Sequence, residues 1–302
     1  MIPPRSCNLA LEIEPGSTLS VPTYDTLITT AELAARLPAA GLVVCDVRFD
    51  LAQPGWGEAQ YGAGHVPGAV YVHVDRDLSA PKTGRNGRHP LPTPEQAAAT
   101  FGRLGIAPGA QVVAYDQASG MFASRLWWML RWLGFDAVAV LDGGFAKWTA
   151  EGRPVAAGAA APTPARFVVG RVTPTVDASG VTASLARQTL CIVDARAPER
   201  FRGETEPLDP VAGHIPGARN RPYAQNLNPD QTLKSAAALR AEFEALLDGV
   251  PHDAVVHSCG SGVSACHNIL AMEVAGIRGT RLYPGSWSEW CADPARPVAT
   301  GA

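Results

Sequence analysis

Cys259 stands where an apolar run, Ala254-Val255-Val256-His257-Ser258, gives way through Gly260-Ser261-Gly262-Val263-Ser264 to a helical pattern carried by Val263, Ile269, Leu270 and Val274. That order puts a thiol at the mouth of a helix. The two glycines let the backbone curl around the sulfur, and the unpaired N–H groups of the loop and first helical turn then point at it, stabilising negative charge. The expected species near neutral pH is a thiolate, and therefore a nucleophile. A cysteine phosphatase builds its nucleophile into a similar loop but needs a guanidinium about six residues on to grip phosphate bidentately. Here Ala265 occupies that place, so a phosphate dianion would meet only N–H groups. A buried packing cysteine near a helix start is the other reading this loop permits.

The 302 residues are enough for two domains of ordinary size. Net charge is −3 with the basic residues dispersed, which leaves no footprint for nucleic acid and no electrostatic membrane anchor; small molecules or proteins are the expected partners. The opening Met1-Ile2-Pro3-Pro4-Arg5-Ser6-Cys7 leads to Glu12 and Glu14 without a sustained apolar core, unlike a secretory signal, and no run approaches membrane-spanning length. The six cysteines, Cys7, Cys45, Cys191, Cys259, Cys266 and Cys291, lack paired spacing. Neither a metal site nor a disulfide framework is expected, and a cytoplasmic location fits.

The elements that must position the thiol come twice, at a spacing of about 148 residues. Val43-Val44-Cys45-Asp46-Val47-Arg48 answers to Cys191-Ile192-Val193-Asp194-Ala195-Arg196. Gly64-His65-Val66-Pro67-Gly68-Ala69 answers to Gly213-His214-Ile215-Pro216-Gly217-Ala218, and Leu141 to Trp148 answers to Tyr283 to Trp290. Within each half, short β-branched runs (Val43 to Val47, Gln111 to Tyr115) alternate with helical stretches (Thr30 to Leu37, Phe122 to Leu133), which predicts an α/β fold with a parallel sheet covered on both faces. An Ala-, Pro- and Gly-rich stretch from Glu151 to Thr175 reads as a connector. The expected division is a domain over 24–152, a linker over 153–172 and a catalytic domain over 173–300. Features present in both halves, the Asp46/Arg48 and Asp194/Arg196 pairs and His65 and His214, read as scaffold. The first half's counterpart of the thiol loop, Tyr115-Asp116-Gln117-Ala118-Ser119-Gly120, has no cysteine, so that half is a degenerate copy.

These residues as a set resemble the tandem-domain sulfurtransferases of the rhodanese superfamily. The resemblance runs from about Thr26 to Val298 and takes in both Asp-x-Arg strand ends, both Gly-His-[Ile/Val]-Pro-Gly-Ala turns, Trp127-Trp128 and the Gly-Ser-Trp-x-Glu-Trp ending at Trp290. It implies two α/β domains, each a five-stranded parallel sheet with helices on both faces, and an active site between them. Thiosulfate users carry Arg-Lys after the cysteine, because departing sulfite is a dianion. Cys259-Gly260-Ser261-Gly262-Val263 resembles instead the 3-mercaptopyruvate sulfurtransferases, with Ser264 where threonine is usual. The Gly260-Ser261 pair puts no fixed cation in the loop, and pyruvate enolate leaving from mercaptopyruvate needs a proton more than a cation.

In that subfamily a serine, histidine and aspartate are the proposed proton relay, and Ser261, His89 and Asp75 match them. From the residues alone, Asp75 equally suits a turn cap and His89 an exposed loop. The subfamily also grips substrate with two arginines. Arg200 matches the first; the segment for the second is shortened to Glu206-Pro207-Leu208-Asp209-Pro210 and has no arginine, leaving Arg85 and Arg88 of the preceding-half loop as substitutes. The resemblance implies a ping-pong reaction through a Cys259 persulfide held by the backbone of Gly260, Gly262, Val263 and Ser264. Acceptors would be cyanide, a small thiol or a thioredoxin-like protein, with no cofactor or metal. Thiosulfate:cyanide sulfur transfer, or a persulfide relay module with little small-molecule turnover, are the alternatives.

Overall fold

The computed structural model describes residues 23–302 apart from Pro38; Cys7 and the N-terminal stretch weighed above lie outside the described residues. The first half forms a parallel sheet from β1 (Leu27–Ile28), β2 (Leu42–Asp46), β3 (Val70–Tyr71), β4 (Gln111–Tyr115) and β5 (Val138–Leu141), in the order β1-β5-β4-β2-β3. The second half repeats it with β6 (Cys191–Asp194), β7 (Arg219–Asn220), β8 (Val255–Ser258) and β9 (Arg281–Leu282), in the order β7-β6-β8-β9. The first sheet has the five strands expected; the second has four. At the missing edge a single ladder bond survives, from Val176 N–H to Leu282 O (2.9 Å). In the first half Asp142 N–H also donates to Ile28 O (3.0 Å); Pro284 stands in the place of Asp142 and has no N–H to donate, so the second half cannot make that ladder bond.

Apolar clusters lie on both faces of each sheet, as continuous apolar strands require. One cluster belongs to both halves. Leu126 and Leu130 of the helix Ala123–Trp132 share it with Val263, Ala265, Cys266, Ile269 and Leu270, which lie on or beside the helix Ser264–Val274. Arg131 and Glu273 pair across the same seam at 3.1 Å. The halves are thus fused through one core, and the carboxyl end of β8 faces that seam.

The repeated features hold the two sheets in the same way. Arg48 pairs with Asp46 (2.6 Å) and donates to Gly64 O (2.6 Å), and Arg196 pairs with Asp194 (2.8 Å) and donates to Gly213 O (2.8 Å). All four side chains are buried. His65 and His214 each bond a backbone carbonyl through Nδ1, to Tyr61 O and Phe201 O, and stack on those rings at 4.2 and 3.8 Å. Burying an ion pair gains little over apolar packing, but removing one partner leaves an uncompensated charge. Asp46→Ala strands Arg48 and also takes the acceptor from Tyr115 Oη (2.7 Å). The expected loss is about 3–5 kcal/mol, read as a lower urea midpoint at unchanged slope; a loss below about 1 kcal/mol would show the pair dispensable.

Candidate active site

Cys259 follows β8 directly and is 1% exposed. Its sulfur accepts from Gly262 N–H at 3.1 Å. Gly262 sits at φ +78°, and a Cβ there would lie 2.3 Å from Pro284 O, so only glycine makes this turn. The loop is held from behind by the repeated tryptophan motif. Cys259 N–H donates to Ser286 Oγ (3.1 Å), while Trp287 and Ser288 N–H donate to Cys259 O and Gly260 O (both 2.9 Å). A cavity of about 170 Å³ opens over the sulfur, lined among others by Ser261, Val263, Ser264, Arg88 and Arg200. A larger cavity, about 580 Å³, lies by Cys191 and Arg219 and contains none of these residues.

The first half explains what this loop is built to hold. Phe145 and Ala146 N–H donate to Asp116 O (2.9 Å) and Gln117 O (3.0 Å), as Trp287 and Ser288 do in the second half, so Asp116 occupies the place of Cys259. Its carboxylate accepts from the N–H groups of Ala118 (3.1 Å), Gly120 (2.9 Å), Phe122 (2.8 Å) and Ala123 (3.3 Å). Burial pushes this carboxyl above its usual range, and the four donors pull against it. Strand, loop and helix therefore form an anion cradle. One half fills it with its own carboxylate and the other presents a thiol, a correspondence that the absence of cysteine in the first-half loop could not reveal.

Ser261 Oγ lies 2.7 Å from His89 Nδ1, and His89 Nε2 stands 3.3 Å from Asp75 Oδ1. The three come together from both halves. His89 is buried rather than a surface histidine, and the short helix Val74–Asp77 is capped by His73, not by Asp75. Burial holds the imidazole below its ordinary value, opposed by Asp75. The contact with His89, followed by that with Lys82 (3.2 Å), draws Asp75 down to about 2 against the opposing effect of burial. At neutral pH this favours a neutral imidazole with Nε2–H toward a carboxylate and Nδ1 accepting from the Ser261 hydroxyl.

Two guanidiniums overhang the loop, which carries no cation of its own; they belong to Arg88 and Arg200, two of the three arginines expected to meet substrate. A Cβ on Gly260 would lie 2.7 Å from Arg88 Nη2 and 3.6 Å from Arg200 Nη2. The shortened segment that lacks the family's arginine supplies two carboxylates instead. Glu206 takes Arg200 Nη2 (2.6 Å) and Arg196 Nη1 (3.3 Å); Asp209 bonds Arg88 Nη1 and stands 3.6 Å from Arg200 Nη2. Arg88 N–H also donates to Ser288 Oγ (3.0 Å), seating its loop on the second half. Arg85 is not brought to the thiol: it lines a separate cavity with Asp293 and Arg296. With Asp194 counted, Arg88, Arg196 and Arg200 face three carboxylates, so their charges are balanced within the protein. Sequence reasoning missed the roles of Asp116, Glu206 and Asp209, and also Arg125, whose guanidinium lies under the loop. Among the described residues no cluster of three or more His, Cys, Asp or Glu could hold a metal ion, and no helix is long and apolar enough to cross a membrane.

The chain matches the model of the rhodanese-like domain twice, over residues 29–151 and 178–293. A protein of Pseudomonas aeruginosa named probable 3-mercaptopyruvate sulfurtransferase is 47% identical over 279 residues, spanning 91% of this chain and 98% of that one. A Mycobacterium tuberculosis protein that carries the provisional name of a thiosulfate sulfurtransferase is 42% identical over 284 residues, spanning 91% and 97%. The structure of 3-mercaptopyruvate sulfurtransferase from Leishmania major is similar with a TM-score of 0.77 at 31% identity, covering 88% of this chain and 74% of that one. With the two domain matches falling on the two sheets, and the thiol loop closing the second of them, the chain belongs to the rhodanese family and carries its domain in tandem.

Proposed function

We propose that the protein is a 3-mercaptopyruvate sulfurtransferase, with a first domain over 24–152, a linker over 153–172 and a catalytic domain over 173–300. The observation that carries this reading is the Ser261–His89 contact of 2.7 Å backed by Asp75, a proton path ending in the loop that holds the Cys259 sulfur. Ser261 passes the Cys259 thiol proton to His89 Nδ1, and Asp75 stabilises the imidazolium formed. The thiolate attacks the substrate's sulfur. An S–S bond forms, the C–S bond breaks, and its electron pair leaves on carbon as pyruvate enolate. The relay returns the proton to that carbon, giving pyruvate and Cys259–S–SH. An acceptor anion, cyanide or a thiolate, then takes the outer sulfur and releases the Cys259 thiolate.

Arg88 and Arg200 hold the substrate carboxylate in a cavity of about 170 Å³, suited to a three-carbon donor. The acceptor is cyanide, a small thiol or a reduced thioredoxin-like protein. A reducing cytoplasm suits the five unpaired thiols among the described residues. The two cations beside Gly260 favour a second reading, thiosulfate sulfur transfer, since sulfite could leave toward them. Their pairing with Glu206 and Asp209 weighs against it: a departing dianion would meet cations already compensated. A persulfide relay module would show neither small-molecule activity.

Incubation with mercaptopyruvate should add one sulfur atom to the Cys259 peptide by mass spectrometry, and Cys259→Ser should abolish label and turnover; labelling of Cys45, Cys191 or Cys266 with Cys259 unmodified would sink the assignment. Ser261→Ala and His89→Ala should each lower kcat by about ten- to a thousandfold with a smaller change in KM. Protonating His89 removes the acceptor of the serine proton. Because its folded value is depressed, kcat should hold as pH falls to the ordinary imidazole value of 6.5 and decline only below it. A decline centred above that value, or unchanged kcat in both variants, would end the relay. Arg88→Ala and Arg200→Ala should each raise KM for mercaptopyruvate by about tenfold, a loss of about 1.4 kcal/mol. Mercaptopyruvate should exceed thiosulfate by about tenfold or more in kcat/KM. Equal or better turnover of thiosulfate would put the second reading first.

A further inference from the structure

Arg125 is fully buried in the helix Ala123–Trp132 of the half that carries no nucleophile, and the chemistry above does not use it. A guanidinium taken wholly out of water is costly to hold unless hydrogen bonds and opposite charge compensate it. Its donors reach carbonyls of three separate segments: Nη1 to Gly262 O at 3.0 Å, and Nη2 to Leu78 O and His89 O, both at 3.4 Å. Its Nε has no hydrogen-bond partner. Burial lowers its proton affinity, and the groups that act on its charge in the other direction are Cys266 and Cys259. Cys266 Sγ donates to the same Gly262 oxygen at 3.3 Å.

We propose that Arg125 is a positioning residue of the sulfur-transfer site, tying the cysteine loop to the backbone of His89 and laying a fixed positive charge beneath the Cys259 sulfur. The inference rests on Cys259 being the nucleophile. Gly262 links the two effects. Its N–H donates to the sulfur and its C=O accepts from Arg125, so the glycine at φ +78° is anchored on one side by the guanidinium while its other side meets the sulfur. The other arm holds the His89 carbonyl, and through that backbone the ring that meets Ser261 at 2.7 Å. One planar fork thereby sets the register between a loop of the second half and a histidine of the first. An ammonium could keep the charge but not the fork. Negative charge on the sulfur, in the thiolate and again in the persulfide, is the counter-charge that a buried cation at this place requires.

Two variants separate the fork from the charge. Arg125→Lys keeps a cation and loses the fork, and Arg125→Gln keeps a donor and loses the cation. The rate of Cys259 alkylation by iodoacetamide at pH 7, measured without any sulfur donor, should fall about tenfold or more in the Gln form and stay within about threefold of the native rate in the Lys form. In both, kcat with mercaptopyruvate should fall about tenfold or more while KM changes by less than about threefold. Native alkylation rates in both variants, or native kcat in the Lys form, overturn the proposal. Should thermal melting show that the Gln form does not fold, kcat of the Lys form decides alone. Alkylation needs no donor, so the contrast is read even if the native protein fails to use mercaptopyruvate; a native protein that turns mercaptopyruvate over normally while the contrast is absent fails this inference and leaves the proposed function standing.

Discussion

A negatively charged sulfur can be kept out of water only if donors are already aimed at the place where it sits. The loop after β8 meets that constraint with backbone, through Gly262 N–H and a turn that no other residue could make. Everything nearby serves to keep that backbone still. Ser286, Trp287 and Ser288 fix it from the second half, and His89, Arg88 and Arg125 meet it from the first. The shared core between the helices Ala123–Trp132 and Ser264–Val274 supplies the rigidity on which those contacts depend.

The two halves use one architecture for different ends. Their Asp-x-Arg pairs and stacked histidines share the same main contacts, Arg to Asp and to a glycine carbonyl and His to the carbonyl of the ring residue it stacks on, which is the behaviour of scaffold. At the cradle they diverge: Asp116 saturates four N–H groups in the first half, leaving nothing for a substrate to bind. The first half has no thiol at this place and contributes side chains to the other half instead. Asp75 and His89 reach the neighbouring loop rather than their own.

What the sequence made legible was local. Cys259 and its glycines, the parallel strands and the doubled motifs all announce themselves through short-range pattern, since a tight turn or a buried strand constrains neighbouring residues. What it hid was set by the meeting of distant segments. Arg85 and Arg88 are three residues apart and look alike as text, yet only Arg88 is turned to the thiol, because its N–H is tied to Ser288 and its guanidinium to Asp209. Glu206 and Asp209 read as a missing arginine and prove to be the partners of two that are present. Arg125 lies inside an apolar helical stretch and gives no sign that its fork crosses to Gly262. The absent strand of the second sheet was in principle visible, in Pro284 at the place of Asp142.

The linker offers a different lesson. It does not hang as a loose tether: Ala156 pairs with His65, Phe167 packs edge-on against Phe101 at 5.3 Å, and the N–H groups of Gly170 and Thr173 donate to Leu133 O and Trp132 O. The chain between the halves is therefore a strap laid along the first of them. A site assembled from two bodies would ordinarily lose translational and rotational freedom each time it formed. Here that entropy is surrendered once, during folding, so His89 and Asp75 stand at Ser261 of the cysteine loop at an effective concentration that no dilution of the protein can lower.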